Sequence, residues 1–307
     1  MADRLHNWGR WGAGDEIGTA NFITPDTIVA AATLVRRGAV FSCAIPFEAG
    51  GPRYPTRLPP QHLMKRSGAD YAAGHPAYGT MPDGGMKFAD DYLFAALQCS
   101  TQWDALSHAW YGDTLYNGVP QTEIRSTGAA RLGIEKLYQH FVGRGVLLDL
   151  PRAMNGGERL AQGYAISDAD LDIAVRAART EVRRGDILLI RTRHVPWFYT
   201  LADEREFWKG APGLGRSTVP WLHAREVAAV AMDNVAIEVQ PPEGADQGLP
   251  LHGLLLRDLG LTLGELFDLE ALAADCAADG VYEFLFVGQP LRIPGAVGSP
   301  INPLAIK

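Results

Sequence analysis

The chain has few cysteines, no surplus of basic charge and no long apolar run, and each lack narrows what it can be. Only Cys43, Cys99 and Cys276 occur, an odd number without close spacing, so no disulfide framework is encoded. All three lie in apolar segments, where a free cysteine behaves as a small buried hydrophobe. Nowhere do about 18 apolar residues follow one another, as a membrane-spanning helix requires. Met1 to Arg10 is polar and lacks the apolar stretch of a secretory signal. The expectation is a reducing, cytoplasmic setting. Basic residues number 28 against 35 acidic ones, a formal charge of −7. The densest basic pairs, Arg36-Arg37 and Arg183-Arg184, fall at predicted helix ends, where a cation faces the carbonyl end of the helix. A nucleic-acid partner and an anionic membrane surface are both disfavoured as partners.

What is there is ordinary globular material. Hydrophobic residues make up 47% and charged residues 21% of 307. That length suits one large α/β domain over 1–307, with an N-terminal arm over about 1–24, a long loop over about 50–85 and an extended tail over about 290–307. Thr24-Pro25 is a helix start, a hydroxyl cap followed by proline, and the helix should run to about Arg37 and stop at Gly38. Ala39 to Ile45 reads as a strand. The Pro- and Gly-rich loop carries His62, Met64, Tyr71, His75 and Tyr78, which suit either a pocket wall or a surface loop. Tyr92 to Cys99, Gly145 to Leu150, Asp186 to Thr192, Ala228 to Met232 and Val281 to Val287 read as buried strands. Ser167 to Arg184, with Ser167 as cap and Gly185 as stop, reads as a helix, and so does Glu265 to Ala278 before Gly280. Strands interleaved with helices predict an α/β layer arrangement.

The densest polar cluster in an apolar setting is Gln98-Cys-Ser-Thr-Gln-Trp-Asp-Ala-Leu-Ser-His108. It follows a predicted strand, a common place for function in layered folds. Asp104 and His108 are four apart and would share one face of a helix, where a carboxylate can orient an imidazole base. Spacing alone equally allows a local cap with a satisfied histidine. Further candidates are His252 with Glu265 on a predicted helix start, Asp233-Asn234 after an apolar strand, and Arg191, Arg193 and His194 after another. Each is weak in isolation.

The segment from Gln98 to His108 resembles the signature of the cyclase family, His-x-Gly-Thr-His-x-Asp-x-Pro-x-His, the group that includes bacterial kynurenine formamidase. The resemblance extends from about Trp11 to the Gly-Ser-Pro-Ile-Asn-Pro tail at 298–303. It implies a swivelling β/β/α-type fold, a central mixed sheet flanked by helices. It places Gln98 and Gln102 on two metal-binding histidines, Asp104 on a metal-binding aspartate and His108 on the acid/base histidine. Thr101 is retained, while Ser100 and Leu106 replace Gly and Pro. His252 and Glu265 look like the remaining metal ligands, one residue further apart than the family pattern. Asp233 to Glu238 looks like its Asp-containing strand.

The family implies a divalent metal that polarises a carbonyl and activates water, acting on formamides, lactones and cyclic amides. Replacing two imidazoles by amides removes softer donors, so Asp104, His252 and Glu265, with Gln98 and Gln102 as optional amide oxygens, suit manganese or magnesium better than zinc. No organic cofactor is implied. Two other readings stay open: a metal-independent hydrolase or lyase in which His108 is the base and Gln98 or Gln102 donates to an oxyanion, and a degenerate relative that only binds a small molecule. Trp103, Tyr111, Tyr116 and Trp11, with Trp8, Trp110 and Phe88 as further candidates, are expected as aromatic pocket walls for a planar small-molecule substrate. The arm and the tail are expected to cross onto a partner subunit in a homodimer or homotetramer.

Overall fold

A computed structural model describes residues 5–74, 86–244 and 248–307. Its frame is a nine-stranded mixed sheet. In chain order the labelled strands are β1 (Val40–Ser42), β2 (Gln61–Arg66), β3 (Asp90–Phe94), β4 (Gln102–Asp104), β5 (Val142–Asp149), β6 (Ile187–Arg191), β7 (Ala229–Met232), β8 (Thr262–Glu265), β9 (Glu283–Val287), β10 (Gly298–Pro300) and β11 (Leu304–Ile306). The sheet order is β1-β11-β9-β5-β6-β7-β8-β4-β10. The four central strands, β5 to β8, run parallel. The flanking pairs are antiparallel.

Parallel strands are covered on both faces and therefore read as unbroken apolar runs. Ile187-Leu-Leu-Ile-Arg191 and Ala229-Val-Ala-Met232 are buried at every position. That is why these two strands and β5 fall within a residue or a few of their predicted positions; β9, antiparallel and alternating in burial, also falls close to its predicted position. The helices α1 (Pro25–Ala32), α2 (Asp168–Ala177), α3 (Thr218–Ala224) and α4 (Glu270–Asp279) flank the sheet. Thr24 and Ser167 cap α1 and α2 through reciprocal side-chain to backbone bonds, as their sequences require.

Several expected boundaries give way to tertiary contacts. α1 stops at Ala32 rather than near Arg37, because the amides of Arg37 and Ala39 donate to the Lys307 carbonyl and draw the chain into the sheet edge. α2 ends at Ala177, where Arg179 takes a left-handed φ of 50°. Tyr92–Cys99 is no buried strand. Its first half belongs to β3, which pairs with β2 as a solvent-exposed hairpin. The predicted loop 50–85 thus contains a strand and a short helix, Gly68–Ala72. His62 and Met64 stand exposed on that hairpin, not in a pocket wall. His75 and Tyr78 lie outside the described residues. Glu265 ends strand β8 rather than starting a helix, and α4 begins five residues later.

The arm and the tail both make contacts with their own chain. Asn7 donates through its side chain to the Leu259 carbonyl at 2.8 Å, and Trp8 Nε1 donates to the Arg257 carbonyl at 2.7 Å. The tail supplies β10 and β11, the second inserted between β1 and β9. Among the described residues no helix is long and apolar enough to cross a membrane. The three cysteines are buried and free.

Candidate active site

Strand β4 sorts its three residues by strand alternation. Gln102 and Asp104 point to one face and Trp103 to the other. β4 pairs with β8 so that Gln102 lies opposite Glu265 and Trp103 opposite Gly264. Directly opposed residues share a face, so Gln102, Asp104 and Glu265 converge. Gly264 is required there, because a Cβ at that position would lie 2.5 Å from the Trp103 ring. On the other side β4 pairs with β10, which sets Asp104 opposite Gly298. The Gln98 amide lies on Gly298, where a Cβ would come within 2.4 Å of Nε2. His252 arrives from a third direction, on the short helix Pro250–His252.

One ligand atom from each of Asp104, His252 and Glu265 lies within 4.8 Å of the others, and all three residues are buried. His252 Nε2 lies 3.3 Å from Glu265 Oε1 and 3.9 Å from Asp104 Oδ2. Gln102 Nε2 donates to Glu265 Oε2 at 3.0 Å. Both oxygens of Asp104, the Oε1 of Gln102 and the Nε2 of Gln98 are buried with no hydrogen-bond partner. Orphaned buried oxygens cost a few kcal/mol each and so call for a ligand. His108 stands at the rim with its side chain 20% exposed, and its Nε2 is 3.8 Å from Asp104 Oδ1. That is charge-pair range but too long for a hydrogen bond. The segment is an extended strand followed by a turn, with the His108 amide bonded to the Ala105 carbonyl. The expected helical face is therefore absent, and Asp104 faces His108 without fixing it.

Two residues absent from the sequence-derived site complete it. Glu238, fully buried, accepts from the amides of Leu251 and His252 at 3.0 Å each and contacts His252 Nδ1 at 2.7 Å. It fixes the imidazole with Nε2 toward Asp104 and Glu265, the carboxylate–histidine arrangement found behind metal ligands. Arg57, from the Pro-rich segment, donates to the Gln98 carbonyl. Its charge pulls both Asp104 and Glu265 downward. Neither residue carries a local signal: Glu238 ends an apolar run and Arg57 sits among prolines.

Burial dominates the electrostatics. It pushes Asp104 up, with Glu265 adding and His108 and His252 opposing. Burial also acts to raise Glu265, but the hydrogen bond and charge of His252 prevail and leave it lowered. Burial works to lower His252, yet its bonds to Glu238 and Glu265 push it up to about 10. The pocket thus collects three carboxylates around one imidazole and favours positive charge at the His252 Nε2 position.

The other candidates divide. Trp103 is fully buried, packed on Phe141 at 4.8 Å and Phe267 at 5.4 Å, with Nε1 donating to the Gly288 carbonyl at 2.6 Å. It is core, not pocket wall. Tyr116 is buried with its hydroxyl on Asp15 at 2.9 Å, and Tyr111 donates to Asp258 under the Arg257 guanidinium. Trp11 packs edge-on to Phe22 at 5.0 Å, and Trp110 Nε1 donates to Gln121 at 3.1 Å. Phe88 is exposed beside Arg66. Aromatic content alone does not separate pocket walls from cores and surface clamps, since aromatics serve in all of them. Asp233 is spent accepting from Thr192 N, Thr192 Oγ1 and Arg193 N, which joins the ends of β6 and β7. Arg191 is spent on Asp149 and Glu270.

A family model described as putative cyclase matches residues 41–239. A solved structure described as a novel cyclase is 50% identical, with TM-score 0.94, covering 100% of this chain and 99% of that one. An isatin hydrolase A from Ralstonia solanacearum is 16% identical, with TM-score 0.63, covering 92% of this chain and 98% of that one. A potential metal-dependent hydrolase with cyclase activity is 15% identical, with TM-score 0.51, covering 87% and 98%. A search of curated proteins finds no match.

Proposed function

We propose, from the premise that this chain belongs to the cyclase family, that it is a hydrolase opening the C–N bond of a small amide or cyclic amide, or the C–O bond of a lactone. The observation that carries this reading is the convergence of Asp104, His252 and Glu265 beside an accessible His108. Isatin hydrolases and a metal-dependent hydrolase share the fold, and isatin, a planar cyclic amide, is the natural first probe.

The donor set fits a hard divalent cation. Two buried carboxylates, one imidazole nitrogen turned inward by Glu238, and the orphaned Oε1 of Gln102 form an oxygen-rich pocket. Such donors suit manganese or magnesium better than zinc. Asp104, His252 and Glu265 would hold the ion, which when bound polarises a carbonyl and lowers the pKa of water. His108 takes the proton from the attacking water at its imidazole and returns it to the leaving nitrogen or oxygen. One C–O bond forms, one C–N or C–O bond breaks, and the proton moves from water to leaving group. His252 holds Glu265 on the ionised side, with the Arg57 charge adding to it, while burial still raises Asp104 against the smaller pull of Arg57. Gln102 is a poor oxyanion donor because its Nε2 is already directed at Glu265.

The test is turnover of isatin, N-formylated anilines and aromatic lactones by the wild type and by His108→Ala. The expected outcome is hydrolysis of at least one class and a loss of about a hundredfold or more in the variant. No turnover anywhere in the panel, or an equally active His108→Ala, contradicts the reading.

We also propose a homodimer or dimer of dimers. The hairpin β2–β3 leaves Leu63, Tyr92, Leu93 and Phe94 each more than half exposed. An isolated two-stranded hairpin is marginal in water, so a covering surface is needed.

A further inference from the structure

A cavity of about 450 Å³ is walled by Tyr54, Phe207, Trp208, Leu249, His194 and Gln240 among others. That volume falls in the range of small-molecule sites. Its walls continue into the site's own backbone. Leu249 precedes the helix that carries His252, and Ala236 lies two residues before Glu238. Leu266, next to Glu265, belongs to the same apolar cluster as Phe207, Val235 and Ala236.

Two polar groups in this apolar wall lack partners. His194 is fully buried, yet neither ring nitrogen has a hydrogen bond, and Gln240 Nε2 is likewise unpartnered. The His194 ring is stacked on Phe207 at 4.4 Å, so it is held in place. Burial, with the Arg159 charge adding, pushes His194 down to about 3, which leaves a neutral ring with one donor and one acceptor. No charged side chain is among the described lining residues. Tyr54 meets Trp208 edge-on at 6.1 Å, and both contribute aromatic surface to the wall.

We propose that this cavity seats the apolar, uncharged body of the ligand, and that His194 and Gln240 select ligands bearing a neutral donor–acceptor group such as a carboxamide. The unpartnered atoms carry the selectivity: a ligand that pairs them recovers their desolvation cost, and one that cannot does not. A carboxylate meets no charged side chain among the described lining residues, so its desolvation is not offset there. This inference rests on the hydrolase reading only in calling that ligand a substrate.

Calorimetric titration of the full chain with benzamide and with benzoate tests it without turnover. Benzamide should bind at least about tenfold more tightly than benzoate, and His194→Leu should weaken benzamide at least about tenfold. Circular dichroism checks the fold. Should His194→Leu not fold, Gln240→Leu takes its place with the same expectation. Equal affinity for the two probes, no binding of benzamide, or benzamide binding unchanged in the folded variant overturns the proposal. Selective binding without any hydrolysis in the substrate panel overturns the hydrolase reading alone. Hydrolysis accompanied by binding that ignores His194 overturns the cavity assignment alone.

Discussion

At the residue scale the site depends on how each polar atom is spent. His252 can serve only because Glu238 holds its other nitrogen at 2.7 Å. Glu238→Gln keeps an oxygen for only one of the two backbone amides, which donate to different carboxylate oxygens, and loses the charge behind the imidazole. Partners of this kind are worth about 10- to 100-fold in metal affinity or activity. Manganese titration of the variant should read a loss in that range, with an unchanged circular dichroism spectrum; full retention of affinity contradicts the role. Asp104, Gln102 and His108 were legible in the sequence because they stand in one short polar run. Glu238 was not, because its partner is fourteen residues away and meets it only through tertiary packing. Trp103 was misread as pocket wall although the polar–apolar–polar order Gln-Trp-Asp already implies a strand with the ring on the opposite face.

At the element scale the parallel core strands were readable as apolar runs, whereas short strands were not. Thr262-Leu-Gly-Glu265 has no local strand signal, and only pairing with β7 and β4 settles it. β4 is three residues long and likewise owes its form to its neighbours. Asp233 joins β6 to β7, and burial pushes it up to about 7 against the opposing donors of Thr192. Its sign is therefore fixed. The folded form binds a proton that the unfolded chain releases near pH 4, so this group favours folding at low pH and the benefit is lost as pH rises toward about 7. Urea unfolding of wild type and Asp233→Asn across pH 4 to 7 should show the wild type losing stability relative to the variant as pH rises. A constant difference contradicts the burial argument.

At the scale of the whole molecule the tail is structural. It inserts β11 into the sheet and places Gly298 against Asp104, so the last residues of the chain help form the site. Sequence alone marked the tail as extended but not where it docks, since strand insertion leaves no trace in composition. Light scattering should give a mass at least twice the 33.3 kDa of one chain, and Leu93→Glu with Phe94→Lys in the hairpin should lower it. A wild-type mass of one chain contradicts the assembly.

The central claim is that three stretches of chain meet to hold one cation. Elemental analysis of protein purified without chelator and dialysed against manganese, set beside Asp104→Asn with Glu265→Gln, tests it most directly. The expected result is close to one divalent ion per wild-type chain, a melting temperature that falls on chelation, and neither in the double variant. A wild type that retains no ion and melts identically with and without chelator contradicts the account.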